Sequence, residues 1–203
     1  MNQFIKTKNY SEREGQQIRA VVCHITDGTK NSVIQHFTNP NSKVSAHYLV
    51  AKGGDIIQFS EEQFATWHAG IKYNSTAKLV LENPTINFNK ISVGVEFECF
   101  SNQDLTEIQY VNGGKLIGEI GRRHSLQLNR DRILRHNEIR KSKSCPGIVS
   151  VEKLIRYAHT PPQLSEIESI KIKISLLQKI MALLKSLASY KKLGSASDDE
   201  RGE

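Results

Sequence analysis

Two imidazoles and a thiol, His24, His136 and Cys145, are the side chains of this sequence best suited to do chemistry together. Zinc takes nitrogen and sulfur donors, and a catalytic zinc site keeps three protein ligands with a fourth position open for water. His24 closes the apolar run AVVCHIT. His136 stands in RHNEI directly after the short run 132–135, and Cys145 lies in KSCPG, on a loop stopped by Pro146-Gly147. Each imidazole is therefore expected where a strand leaves a sheet. The H-x8-C interval is common by chance, so the case rests on the elements and words around it.

The elements that must position these groups follow from periodicity and punctuation. Residues 19–25 predict a buried strand, and 31–38 a helix opened by the polar group Thr29-Lys30-Asn31-Ser32. Residues 46–51 and 55–59 predict two strands joined as a hairpin by Lys52-Gly53-Gly54, because glycine takes positive φ without penalty. A further strand is expected over 91–100, where Val93, Val95 and Phe97 alternate with Gly94, Glu96 and Glu98, placing both glutamates on one face. A helix is expected from Asp104 to about His124 with Leu105, Ile108, Leu116, Ile117 and Ile120 on its buried side, its middle weakened by Gly113-Gly114. Strand 132–135 and helix 150–158 complete an α/β fold, a central mixed β-sheet flanked by helices.

The chain divides by character into 1–160, a domain that holds the three donors and is able to fold without staples, a helical appendage at 161–193, and an acidic tail at 194–203 that is expected to be disordered. In the appendage Ile167, Ile170, Ile174, Leu177, Met181 and Leu184 follow the 3-4-3-4-3 spacing of a coiled-coil seam. Ile172, Leu176, Ile180, Leu183 and Leu187 add a second apolar stripe. So much apolar surface needs a cover: the chain's own larger domain, another copy or protein through residues 165–190, or a membrane surface.

Three cysteines in unlike contexts are no disulfide framework; Cys23 and Cys99 read as small buried apolar residues. The amino-terminal MNQFIKTKNYSEREGQQ has neither a continuous apolar region nor a small-residue cleavage site, and no run reaches membrane-spanning length. A chain made as a soluble cytoplasmic protein with no membrane span is the expectation. The excess of 28 basic over 21 acidic residues, a formal charge of +7, suits an anionic partner. No nucleic-acid partner is expected, because no such motif is visible and the basic residues are not interleaved with aromatics.

The words VVCHIT, SAHYLV, GGDIIQ, WHAG, SVGVEFE, RHNEI and KSCPG occur in that order between residues 21 and 147. Together they resemble the zinc-dependent N-acetylmuramoyl-L-alanine amidases, which include phage amidase endolysins, bacterial anhydro-muramyl-peptide recycling amidases and peptidoglycan recognition proteins. The resemblance implies Zn2+ held by His24, His136 and Cys145, and a substrate that is peptidoglycan or a muropeptide. It also implies hydrolysis of the amide between N-acetylmuramic acid and L-alanine. Glu96 matches the catalytic glutamate of the recycling amidases, a carboxylate that takes a proton from water and passes it to the leaving amine. Lys143 matches a lysine facing the developing oxyanion, although the slightly long interval to Cys145 leaves Lys141 as the other candidate.

The family patterns are mixed here. Recycling amidases usually carry an aspartate where this chain has Cys145. A cysteine is common in endolysins and recognition proteins, many of which use a tyrosine where this chain has Ala46. His47, Trp67 and His68 are the implied substrate-binding or supporting residues; Arg135 and Asn137 flank a ligand and are placed to orient it. A wall-lytic role after release from the cell is slightly favoured over cytoplasmic recycling. A peptidoglycan-binding protein without turnover is the alternative.

Overall fold

The computed structural model describes residues 3–160 and 172–185. The chain divides into two compact units between residues 161 and 162.

The first unit is built on a six-stranded mixed sheet. Its strands are β1 (Gln3–Phe4), β3 (Ala20–Ile25), β4 (Tyr48–Val50), β5 (Ile56–Gln58), β7 (Ser92–Phe97) and β8 (Ile133–Arg135), in the spatial order β1-β5-β4-β7-β3-β8. A separate antiparallel pair joins β2 (Tyr10–Glu12) to β6 (Phe64–Thr66). Strands β4, β7, β3 and β8 run parallel to one another, and β5 folds back antiparallel on β4. That reversal is the hairpin expected at 52–54, with Gly54 at φ +89° and its N–H on the Ala51 carbonyl.

Central parallel strands are apolar on both faces because helices cover both, and β3 is buried at every position. On one face Val21, Cys23, Ile25, Val93, Val95 and Phe97 pack against α3 (Glu107–His124) and α5 (Val151–His159). On the other, Ala20, Val22 and Leu134 pack with Leu79 and Val80 of α2 (Lys78–Leu81), with Phe88 and Ile91 of the 3-10 turn Phe88–Ile91, and with Ile139 of α4 (His136–Ile139). Helix α1 (Lys30–Thr38) buries Val33 and Phe37 against Leu49, Ile57 and Phe59. Cys23 and Cys99 are buried and free, as expected of small apolar residues.

The long helix does not weaken at Gly113-Gly114. It runs unbroken for 18 residues, opened by a capping box between Thr106 and Gln109. The glycines are there for proximity. A Cβ on Gly114 would lie 2.5 Å from Tyr157 Cβ and 3.0 Å from the Leu154 carbonyl oxygen, and one on Gly118 would lie 2.7 Å from the Ala158 carbonyl oxygen. The two helices thus meet backbone to backbone. Ile108 is only half-buried, and Tyr110 and Val111 fill the helix's buried side with the expected leucines and isoleucines.

In the second unit, residues 172–185 are helical, and Ile172, Leu176, Leu177, Ile180, Met181, Leu183 and Leu184 are exposed. The remainder of the 161–193 appendage and the acidic tail 194–203 lie outside the described residues. No described helix is long and apolar enough to cross a membrane.

Replacing glycine by alanine inside a helix ordinarily stabilises it by about 1 kcal/mol. At Gly118 the added methyl meets backbone that has no room to yield, so Gly118→Ala is expected to cost about 1–3 kcal/mol instead. The urea unfolding midpoint of the full chain reads the sign, and a gain in stability would contradict the contact.

Candidate metal centre and catalytic cleft

The carboxyl ends of three adjacent parallel strands deliver the reactive groups. His24 is the penultimate residue of β3 and stands opposite Glu96 of β7 in the strand register. His136 follows the last residue of β8 and opens α4. The Ser144–Gly147 turn brings Cys145 over the end of β3, where its sulfur accepts the Ile25 N–H at 3.3 Å. His24 Nδ1 lies 3.1 Å from His136 Nδ1 and 3.8 Å from Cys145 Sγ, and the three donor atoms fall within 4.8 Å of one another.

Two nitrogens and one sulfur at this separation suit a single divalent ion of zinc character. The protonation states agree with that use. His136 Nε2 donates to the Ala69 carbonyl at 3.2 Å, which leaves the lone pair on Nδ1 facing the cluster. Burial lowers the pKa of His136 to about 4, with Lys143 and Arg140 adding to the effect. Burial, with neighbouring His136 and His68, also holds His24 well below the ordinary range. Both rings are therefore neutral near pH 7, the form that binds metal. Cys145 is held as a thiol, first by burial and then by the nearby Glu96 carboxylate, so taking up a metal must displace its proton.

A cleft of about 380 Å³ opens beside the cluster and is lined by His24, Trp67, His68, Glu96, His136, Lys143 and Cys145, among others. Glu96 Oε2 is buried with no hydrogen-bond partner. Burial alone raises the pKa of Glu96 to about 8, a value suited to a group that must both take and return a proton near neutrality. Of the two candidate lysines, Lys143 lines the cleft; the backbone of Lys141 is tied to the Tyr73 carbonyl instead. Glu98 leaves the cleft to its neighbour. Its carboxylate accepts the N–H of Lys30 at the start of α1 and that of Lys52 in the hairpin, both at 2.7 Å.

His47 does not line the cleft as expected. It is fully buried behind His68, its Nδ1 accepting the Gly94 N–H at 3.0 Å and its Nε2 facing the Phe64 carbonyl. Alternation along the strand did turn it away from Tyr48, but β2, β6 and Arg13 cover that side. Arg135 pairs with Glu152, and Asn137 donates its backbone N–H to the Cys145 carbonyl, bracing the loop that carries Cys145.

Nothing in the sequence marks His36 and Phe37 for the cleft wall, since no motif surrounds them. Gly94 was readable in principle: an isolated glycine inside a strand marks a close approach, and here the His68 ring lies where a Cβ would be, 2.5 Å from its Cγ.

The fold and the site define a class, an α/β protein with a three-donor cluster able to hold a metal ion and a buried carboxylate at the ends of parallel strands. The sequence pattern of the N-acetylmuramoyl-L-alanine amidase family (Amidase_2) matches residues 14–148, and the chain belongs to that family. It is 41% identical over 64 residues to N-acetylmuramoyl-L-alanine amidase A of Achromobacter lyticus, covering 31% of this chain and 36% of that protein. It is 30% identical over 107 residues to the 1,6-anhydro-N-acetylmuramyl-L-alanine amidase AmpD of Haemophilus influenzae, covering 52% of this chain and 53% of that one. The matches thus span about a third and about half of these curated relatives. A crystal structure of a selenomethionine derivative of AmpD shares the fold with a TM-score of 0.62 at 20% identity, covering 77% of this chain and 93% of that one.

The raised pKa of Glu96 has a definite sign in stability. The folded protein retains a proton that the unfolded chain releases near pH 4.5, so stability falls as pH rises from about 4.5 through about 8. In metal-free protein the loss is expected to reach a few kcal/mol, and Glu96→Gln should remove it. Denaturation midpoints of both proteins between pH 5 and 9 measure the difference; parallel curves would place Glu96 in a solvated setting.

Proposed function

We propose that this protein hydrolyses the amide between N-acetylmuramic acid and L-alanine in peptidoglycan or its muropeptides, with zinc held by His24, His136 and Cys145. The observation that carries the reading is the convergence of those three donors beside the unpartnered carboxylate of Glu96 in one cleft. When bound, zinc supplies Lewis acidity toward a carbonyl oxygen and toward water.

The remaining work falls to the chain's own side chains. Glu96 accepts the proton of the attacking water and returns it to the L-alanine nitrogen as the carbon–nitrogen bond breaks, leaving a free carboxyl on the lactyl group. Burial suits it to both transfers, because its carboxyl and carboxylate forms are close in energy near neutral pH. The Lys143 ammonium at the cleft rim faces the negative charge that gathers on the carbonyl oxygen. Trp67 offers a flat apolar surface in the same wall for a sugar or the peptide stem.

Two biological settings fit the chemistry. The net charge of +7, Cys145 and the C-terminal helix favour action on polymeric wall after release from the cell. Glu96 in GVEFE, the WHAG segment and the similarity to AmpD favour soluble anhydro-muropeptides. Incubation of the zinc-loaded protein with intact peptidoglycan and, separately, with anhydro-muropeptide should release new L-alanine amino termini, read by mass spectrometry. The preferred substrate chooses the setting. A chelator should abolish release, Glu96→Ala should lower kcat by about a hundredfold or more, and Lys143→Ala by about a hundredfold. No release from either substrate by protein containing stoichiometric zinc leaves a wall-binding protein without turnover.

We also propose that residues 165–190 associate with a second copy of the chain through the seam that includes Ile174, Leu177, Met181 and Leu184. Sedimentation of the full chain should give a species larger than a monomer. Ile174→Lys combined with Leu177→Lys should return it to monomer; an unchanged mass removes the seam from the association.

A further inference from the structure

The segment His68–Ala69 touches both imidazoles of the cluster, and its hydrogen bonds have a readable polarity. At the far end of one chain of contacts is the Phe88 carbonyl, which can only accept. The Ser92 hydroxyl lies 2.6 Å from it and donates to it, leaving the hydroxyl's lone pairs for His68 Nε2 at 3.2 Å. A neutral His68 with its proton on Nε2 then presents a bare Nδ1 to His24 Nε2 at 3.1 Å. His24 must carry its own proton on that Nε2, so its lone pair is on Nδ1, the atom that faces His136 and Cys145. One residue further, the Ala69 carbonyl takes the proton of His136 Nε2 and fixes that ring the same way.

The segment is itself held from two sides. Asn89 Oδ1 accepts the N–H groups of His68 and Ala69 at 3.2 and 2.7 Å. The His68 ring rests on the bare backbone of Gly94, where any Cβ would collide with it. His24, His68 and Ser92 are all buried, so water does not compete for these bonds.

We propose that His68 is a positioning residue: the relay Phe88 carbonyl, Ser92, His68 locks His24 in the tautomer that binds metal through Nδ1, while Ala69 does the same for His136. This rests on the metal reading of the cluster given above. The arrangement assigns His68 a task other than gripping substrate, even though it lines the cleft. It also gives a reason for Ser92, Asn89 and Gly94, none of which touches the reacting groups. Outer partners of this kind commonly change metal affinity about 10–100-fold when removed.

Zinc affinity of the full chain, measured by competition with a chromophoric chelator, tests the proposal alongside the unfolding midpoint of each metal-free protein. His68→Phe, which keeps a ring and loses the acceptor, should weaken zinc binding by about 10–100-fold, and Ser92→Ala should weaken it less in the same direction. His68→Asn, with an amide oxygen near the former Nδ1, should recover much of the loss; a purely steric role would not be rescued this way. Nitrogen-15 NMR of the metal-free wild-type protein should find the protons of His24 and His68 on Nε2, a readout that needs no variant to fold. Zinc affinity in His68→Phe equal to wild type, or a His68 proton on Nδ1, overturns the relay. A wild-type chain that takes up no zinc while showing the Nε2 tautomers overturns the metal reading beneath it.

Discussion

The parallel pairing of β7, β3 and β8 is the constraint on which the site depends. Parallel strands end together, so whatever follows their last hydrogen bonds is gathered along one edge of the sheet. With His24 opposite Glu96 and Cys23 opposite Arg135, the register leaves a carboxylate and two imidazoles at that edge. A slip of one residue would turn every side chain to the opposite face, sending His24 into the apolar layer beneath α3 and Cys23 into the cleft. The burial of Val21, Cys23 and Ile25 on the helix side therefore does more than stabilise the fold. It chooses which face His24 occupies.

Much of this was legible in the chain. The apolar run before His24 gives β3 within one residue of its observed limits, and the alternation in SVGVEFE gives the start of β7 within one residue, although that strand ends three residues before the expected Phe100. The meeting of His24, His136 and Cys145 follows from residue type and their places beside strands, and the hairpin at Gly53-Gly54 from glycine's access to positive φ. The short pieces were not legible: β1, β2, β6, α2 and α4 span two to four residues each, too few for a period to appear.

Two other discrepancies have a common physical origin. Gly113-Gly114 read as a weakness from helix propensity alone, and the structure uses them to bring α3 and α5 into backbone contact. His47 reads as a cleft residue from strand alternation, and Phe64 and Thr66 of the second small sheet bond to its ring and cover that side. In each case the local signal was correct and the deciding neighbour lay far away in sequence. Long-range packing overrides local preference, and a single chain read without its partners in space cannot supply it.

Glu98, one residue beyond the end of β7, does not line the cleft, yet it frames it. By holding the first turn of α1 and the bend of the hairpin to the end of the strand that carries Glu96, it makes one side of the opening an extension of the sheet. Displacements of β7 then carry the wall and Glu96 together. The mouth on that side is consequently hung from the sheet, so its position follows the strand's end and not the loops alone.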